Sequence, residues 1–195
     1  MFAPRLSTRA KLCACVAVLL ALCADARAQG GAKPALPQGS ETVDSVLTKA
    51  GELSIVRVSD PTDMKFELRL KGRKVFDITE VMEASFVAQF RTYNSGELVV
   101  MYTSEGGSAC PAQFRVVRVE DTGRVTVTDE FGDCGDSPTI TLQQLPEDEL
   151  TFRFQGYYQL NQAQEPGFKK PPPSTWVYKK GVLRQLGVAP TRRGK

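Results

Sequence analysis

Residues 110–134, CPAQFRVVRVEDTGRVTVTDEFGDC, carry the clearest structural pattern of this chain. Two runs rich in β-branched residues flank Asp121-Thr122-Gly123, and glycine in third place is typical of a three-residue hairpin loop whose last residue is left-handed. Such a loop sets these opposed pairs: Glu120 with Arg124, Val119 with Val125, and Val117 with Val127. The stretch therefore predicts an antiparallel hairpin with one apolar face.

Counting further outward gives the hairpin an ion pair and a disulfide. Arg115 falls opposite Asp129, and Cys110 falls opposite Cys134. Pro111 cannot donate a hydrogen bond to the ladder, so regular pairing should stop there. In an oxidising compartment two cysteines are expected to pair. We therefore predict that a Cys110–Cys134 disulfide clamps the open end of the hairpin.

The rest of the chain repeats the strand pattern. Asn94-Ser95-Gly96 and Lys179-Lys180-Gly181 have the same turn chemistry and predict two more three-residue hairpin loops. Short β-branched and aromatic runs lie between turn residues at 53–58, 65–70, 74–78, 85–92, 98–103, 112–119, 124–131, 139–142, 150–155, 175–178 and 182–186. One short helix is expected at 42–49, and a helix over 79–90 is the alternative to the strand there.

These runs predict an all-β domain over residues 41–186. It should be a mostly antiparallel meander of about ten short strands. Two arrangements stay open, a stack of two sheets and a barrel, with the β-sandwich favoured over the barrel. Residues 29–40 and 187–195 are short of apolar side chains, and we expect a flexible linker and a disordered tail, respectively.

The first 28 residues have the organisation of a signal peptide. Arg5, Arg9 and Lys11 precede an apolar run at 12–24, and Ala26-Arg27-Ala28 is a small-x-small cleavage site. The run is shorter than the roughly 20 residues that span a bilayer, and no later stretch is longer. The alternative, a lipid anchor at Cys23, is disfavoured because Leu22 stands where a small residue is expected. We expect a periplasmic or secreted protein that begins at Gln29.

Charge argues against a nucleic-acid partner. The chain has 25 basic and 22 acidic residues, and the leader takes four of the basic ones and one acid, so the mature chain is formally neutral. Nucleic-acid binding depends on clustered positive charge, which the mature sequence lacks.

The sequence offers no catalytic signature. It contains no histidine, which excludes histidine-bearing zinc sites and Ser-His or Cys-His catalysis. A carboxylate pair could serve a histidine-free hydrolase, but the spacing of the acids singles out no pair. Four acids crowd around Cys134 without the spacing of a calcium loop: Asp129, Glu130, Asp133 and Asp136. We expect no metal and no cofactor.

Aromatic residues near the C-terminus are the candidates for binding. Tyr157 and Tyr158 precede a proline-rich segment at 169–173, and Trp176 follows it. Aromatic side chains bury a large area at low entropic cost, so they suit recognition of a sugar or a peptide. Trp176 shares a strand face with Tyr178 and could instead belong to the core. We take Tyr157, Tyr158 and Trp176 as candidate binding residues.

The segment Gly106-Gly107-Ser108-Ala109-Cys110-Pro111-Ala112, followed by Phe131-Gly132-Asp133-Cys134, resembles a pattern of uncharacterised exported β-rich proteins of Gram-negative bacteria. The resemblance covers about 30 residues in the middle of the chain. It implies a periplasmic location and the disulfide, and it carries no assigned activity.

Together these observations predict a periplasmic binding or interaction module without catalytic machinery. Its partner would be a protein or glycan of the cell envelope, because a rigid β scaffold presents loops well. Two alternatives remain, the histidine-free hydrolase and a structural envelope protein.

Overall fold

The structure is a computed structural model. It describes residues 36, 38–60, 63–92, 96–106, 112–135, 137–144, 147–159 and 161–187, which belong to one compact unit. The predicted signal peptide, most of the predicted linker, and 188–195 of the predicted tail lie outside these residues. Within the described ranges, no helix has the length and apolar character needed to cross a membrane.

The described residues form strands and one short 3-10 turn, Gln162–Gln164. The strands are β1 (Ser40–Thr48), β2 (Gly51–Asp60), β3 (Asp63–Leu70), β4 (Arg73–Ile78), β5 (Glu83–Arg91), β6 (Glu97–Ser104), β7 (Gln113–Val119), β8 (Val125–Val127), β9 (Thr139–Gln143), β10 (Glu149–Phe154), β11 (Ser174–Lys179) and β12 (Val182–Gln185). The all-β prediction is confirmed, and every run predicted as a strand contributes to one.

The strands are grouped into three open antiparallel sheets of four. Each sheet follows chain order as a meander: β1-β2-β3-β4, then β5-β6-β7-β8, then β9-β10-β11-β12. Among the described strands none of the three sheets closes on itself, which agrees with the expected open, sandwich-like arrangement and not with a barrel. The stack was expected to contain two sheets, whereas the described strands form three.

The sheet β5–β8 is the shared layer, because it contributes to both hydrophobic clusters. Val99, Met101 and Val117 pack with the inner residues of β1–β4, including Leu53 and Leu68. The intervening residues face the other way. Leu98, Val100, Phe114 and Val116 pack with the inner residues of β9–β12, which include Leu150 and Phe152. Strand β6 is therefore buried along both faces.

The helix expected at 42–49 is a strand. Residues 40–48 form β1, which pairs with β2 from Ser40 opposite Val58 to Thr48 opposite Gly51. Thr42, Val43, Val46 and Thr48 are β-branched, and such residues favour strands over helices. A register shift between Thr42 and Asp44 interrupts the alternation, which explains why the sequence pattern was ambiguous.

The hairpin predicted around Asp121-Thr122-Gly123 has the predicted loop. Val119 lies opposite Val125 and Val117 opposite Val127. The amide of Glu120 donates to the carbonyl of Arg124 at 2.9 Å, and Gly123 has a φ of +87°. The predicted loop and its first pairs are confirmed.

The predicted register fails beyond Val127. Phe114 pairs with Phe131, so the second arm carries one extra residue. The hydroxyl of Thr128 accepts the amide of Val116 at 2.9 Å in place of a backbone carbonyl. As a result Arg115 pairs with Glu130, at 2.9 Å, and the predicted Arg115–Asp129 pair was wrong.

The extra residue also changes the register from which Cys134 was predicted to lie opposite Cys110. Regular pairing does not reach Cys134, which has a left-handed φ of +63°. Cys110 lies outside the described residues. The Cys110–Cys134 pairing stays a prediction.

Two other predicted loops differ from the structure. Lys179 lies opposite Val182, so Lys180-Gly181 forms a two-residue turn in which both residues have positive φ. Between β5 and β6 the amide of Thr92 donates to Gly96 at 3.2 Å, which moves the loop one residue earlier than predicted. Residues 93–95 of that loop lie outside the described ranges.

Replacing Gly123 by valine tests the confirmed loop. A Cβ at Gly123 would meet only the Leu70 Cδ2 atom, at 3.9 Å, so the cost comes from the left-handed backbone rather than from a clash. We expect the Gly123→Val variant to lose about 1–2 kcal/mol of unfolding free energy in urea titrations. A stability equal to that of the parent protein would mean that the loop does not need a left-handed residue.

Candidate functional site

A pocket of about 350 Å³ opens where β10 ends. Three segments meet there: the loop that follows Phe131, residues 155–158, and the proline-rich segment before β11. The lining residues are Asp133, Gly135, Ser137, Gln155, Gly156, Tyr157, Tyr158 and Lys170. The volume falls within the range of about 300–1,000 Å³ that is usual for small-ligand sites.

The carboxylate of Asp133 joins two walls of the pocket. Its Oδ1 accepts the amide of Gly135 at 3.1 Å, and its Oδ2 accepts the amide of Gly156 at 3.0 Å. The first bond shapes the loop after β8, and the second fastens that loop to the segment after β10. Because hydrogen bonds to an ionised group are stronger than neutral ones, this carboxylate holds the two walls in register.

Glycine permits close approach at two points of the wall. A Cβ on Gly156 would lie 2.3 Å from the carbonyl oxygen of Pro171, so only glycine lets the proline-rich segment pack there. Gly156 also has a φ of +81°, which glycine adopts without strain. A Cβ on Gly135 would lie 2.9 Å from the Oδ1 atom of Asp133 and 3.2 Å from the Cβ of Tyr157. Gly135 thus allows Tyr157 to pack against the loop after β8.

The ring of Tyr158 is held by its own connecting segment. It packs on Phe168 with 5.1 Å between ring centroids. The ammonium of Lys170 lies 5.9 Å from the centre of the same ring, within the range of a cation–π contact. Tyr158 therefore presents a fixed, partly exposed ring beside a positive charge.

The structure brings two of the three candidate binding residues together. Tyr157 and Tyr158 both line the pocket and both are partly exposed, which is possible because residues 155–158 are not a strand. Trp176 is not in the lining. Its ring packs on Phe131 at 5.6 Å between centroids, and its strand partner is Phe152. Trp176 contributes to the aromatic core beneath the pocket.

The carboxylates of the described lining bear on the hydrolase hypothesis. Among the described lining residues Asp133 is the one carboxylate, and each of its oxygens already accepts a backbone amide. A glycosidase needs two carboxyl groups that flank the scissile bond. The described lining therefore does not supply the pair that the hydrolase hypothesis requires.

Two of the four acids near Cys134 have other partners. Glu130 pairs with Arg115, Asp133 binds the two glycine amides, and Asp136 lies outside the described residues. Over the described ranges, no group of three or more His, Cys, Asp or Glu side chains is placed to hold a metal ion.

A second concavity lies at the other end of β10 and is lined by Arg118, Glu147, Asp148 and Lys180. Its charges neutralise one another: Lys180 contacts Glu147 at 2.6 Å, and its hydrogen bond lowers the pKa of the Glu147 carboxyl. Nearby, burial raises the pKa of the Tyr178 phenol, an effect that Arg118 opposes. Because its charges are satisfied internally, we assign no ligand to this region.

Sequence reasoning found the tyrosines but missed the residues that fix them. Asp133, Gly135, Gly156 and Lys170 had no assigned role in binding. A usable pattern was present, since Gly132-Asp133-Cys134-Gly135 and Gln155-Gly156 each follow a strand-like run, and an acid between glycines often bonds nearby amides. That Asp133 reaches Gly156, 23 positions away, is tertiary information.

Comparisons with protein-family models, with curated proteins and with solved structures found no match to this chain. The function is therefore argued from the site itself.

Proposed function

We propose that this chain is an exported binding module and that the pocket at the end of β10 holds its ligand, a glycan or protein segment of the cell envelope. The observation that carries the proposal is the pair Tyr157 and Tyr158 on walls that Asp133 ties together. Export and an envelope location rest on the leader sequence of the first 28 residues.

Preorganisation supports binding as the task of this pocket. A ligand loses affinity when side chains and loops must become ordered around it. Here Phe168 fixes the ring of Tyr158, and Asp133 fixes the backbone at Gly135 and Gly156. The aromatic core below, where Phe131 contacts Phe152 at 4.7 Å between centroids, supports the loop that carries Asp133. Rigid aromatic rings beside polar groups are typical of recognition sites.

Retention on envelope material tests this proposal. Protein recovered from the periplasmic fraction, whose N-terminus we expect at Gln29, is mixed with isolated cell envelopes and sedimented. We expect the parent protein to sediment with the envelopes, and the double variant Tyr157→Ser, Tyr158→Ser to lose at least about tenfold in apparent affinity, since buried aromatic anchors each contribute more than about 1 kcal/mol.

The control removes an exposed apolar side chain elsewhere. Leu47 is 78% exposed on β1 and does not line the pocket, so Leu47→Ser should sediment like the parent. Pretreating the envelopes with protease or with glycan-cleaving enzymes distinguishes the two ligand classes. Equal retention of the parent and the double tyrosine variant would contradict the proposal.

A further inference from the structure

The charge of Lys170 narrows the ligand class. Asp133 is the carboxylate of the described lining, and its two oxygens accept hydrogen bonds from the amides of Gly135 and Gly156. Within the described residues the ammonium of Lys170 contacts the Tyr158 ring and forms no ion pair. The pocket therefore offers a positive charge next to an aromatic face, and a ligand with an anionic group would complement it.

The other lining groups suit a sugar that carries this anionic group. Tyr157 and Tyr158 supply flat apolar faces, while Ser137 and Gln155 supply a hydroxyl and an amide. An amide and a hydroxyl can each donate and accept hydrogen bonds, which suits ligand hydroxyl groups. The volume of about 350 Å³ is at the small end for ligand sites, so the pocket suits a short saccharide segment rather than a folded partner.

We propose that the pocket binds a sugar with an anionic substituent, the ring lying against Tyr157 and Tyr158 and the anionic group lying at Lys170. This inference rests on the proposed function and assigns the ligand chemistry of the same site. A carboxylate on a uronic acid and a phosphate on a sugar share the required charge, so both belong to the proposed class.

Titration with defined saccharides tests the inference. Calorimetry would compare trigalacturonate, galactose 6-phosphate and neutral galactotriose as probes of the parent protein. Because a hydrogen bond between charged groups is stronger than one between neutral groups, we expect at least one anionic probe to bind about tenfold or more tightly than galactotriose. The preferred anionic probe identifies which source of charge the site uses. Added salt should reduce the difference, since the site is open to solvent.

Two neighbouring lysines provide a matched pair of variants. Lys170→Gln should reduce the preference for the anionic probe to less than about threefold, while Lys169→Gln, an exposed neighbour outside the lining, should keep it. Equal affinity for the anionic and neutral sugars, or equal effects of the two variants, would overturn the inference and leave the proposed function standing. Absence of binding to all three probes, with envelope retention still dependent on the tyrosines, would also overturn it. Loss of that dependence would instead overturn the proposed function.

Discussion

Replacing Phe131 by alanine should cost about 3–5 kcal/mol of unfolding free energy, the range for deleting a buried phenylalanine. The Phe131 ring is only 4% exposed and contacts four other rings, those of Phe114, Phe152, Phe154 and Trp176. These rings come from two different sheets. Removing the Phe131 ring would therefore leave a cavity between the two sheets. Urea denaturation followed by circular dichroism measures the loss.

A matched phenylalanine serves as the control. Phe168 is partly exposed and its ring packs on Tyr158, so Phe168→Ala should change stability by less than about 1 kcal/mol. If Phe131→Ala does not fold, Phe131→Leu should still fold and lose a smaller amount, because it keeps most of the volume. Equal stabilities for Phe131→Ala and Phe168→Ala would show that Phe131 does not join the two sheets.

Replacing Gly156 by alanine should remove about 2–5 kcal/mol of stability and most of the ligand affinity. Two costs combine, the strain of a side chain at a φ of +81° and the displacement of Pro171, whose carbonyl oxygen would lie 2.3 Å from the new Cβ. Because Lys170 precedes Pro171, the displacement changes the pocket as well as the fold. Chemical denaturation and envelope retention measure the two effects.

Gly181 isolates the contribution of the backbone. Its φ of +80° is nearly that of Gly156, but a Cβ there would meet no heavy atom within 4 Å. Gly181→Ala should therefore cost only the left-handed strain, about 1–2 kcal/mol, and leave ligand binding unchanged. Indistinguishable effects of the two substitutions would mean that the contact between Gly156 and Pro171 does not shape the pocket.

Local chemistry made much of the fold predictable. Turn residues and β-branched runs identify most strands, because both act over a few neighbouring positions. The Asp121-Thr122-Gly123 loop also set the register of Val117 and Val127 correctly. The prediction failed past Val127, where the side chain of Thr128 replaces a backbone partner and admits an extra residue.

The number of sheets depended on contacts that no turn encodes. One sequence feature did point to a middle layer, since Leu98-Val99-Val100-Met101 is a continuous apolar run in place of an alternating one. Such runs are typical of strands buried on both faces. Interpreting that run in this way would have favoured two packed interfaces, and hence a third sheet.

Only part of the candidate site could be predicted from the sequence, because the rest depends on contacts between residues far apart in the chain. Tyr157 and Tyr158 stand out by composition, whereas the bond from Asp133 to Gly156 joins residues that only the folded chain brings together. Trp176 was correctly predicted to lie on a strand. Its packing on Phe131 could not be predicted, because that contact depends on another sheet.

Hydrogen–deuterium exchange of the protein, with and without isolated cell envelopes, tests most directly whether the pocket is the binding site. We expect slower exchange of backbone amides in peptides covering residues 132–135 and 155–158, and little change in peptides from β1 to β4. Protection confined to the other end of β10, near Glu147 and Lys180, with unchanged exchange at Gly135 and Gly156, would contradict it.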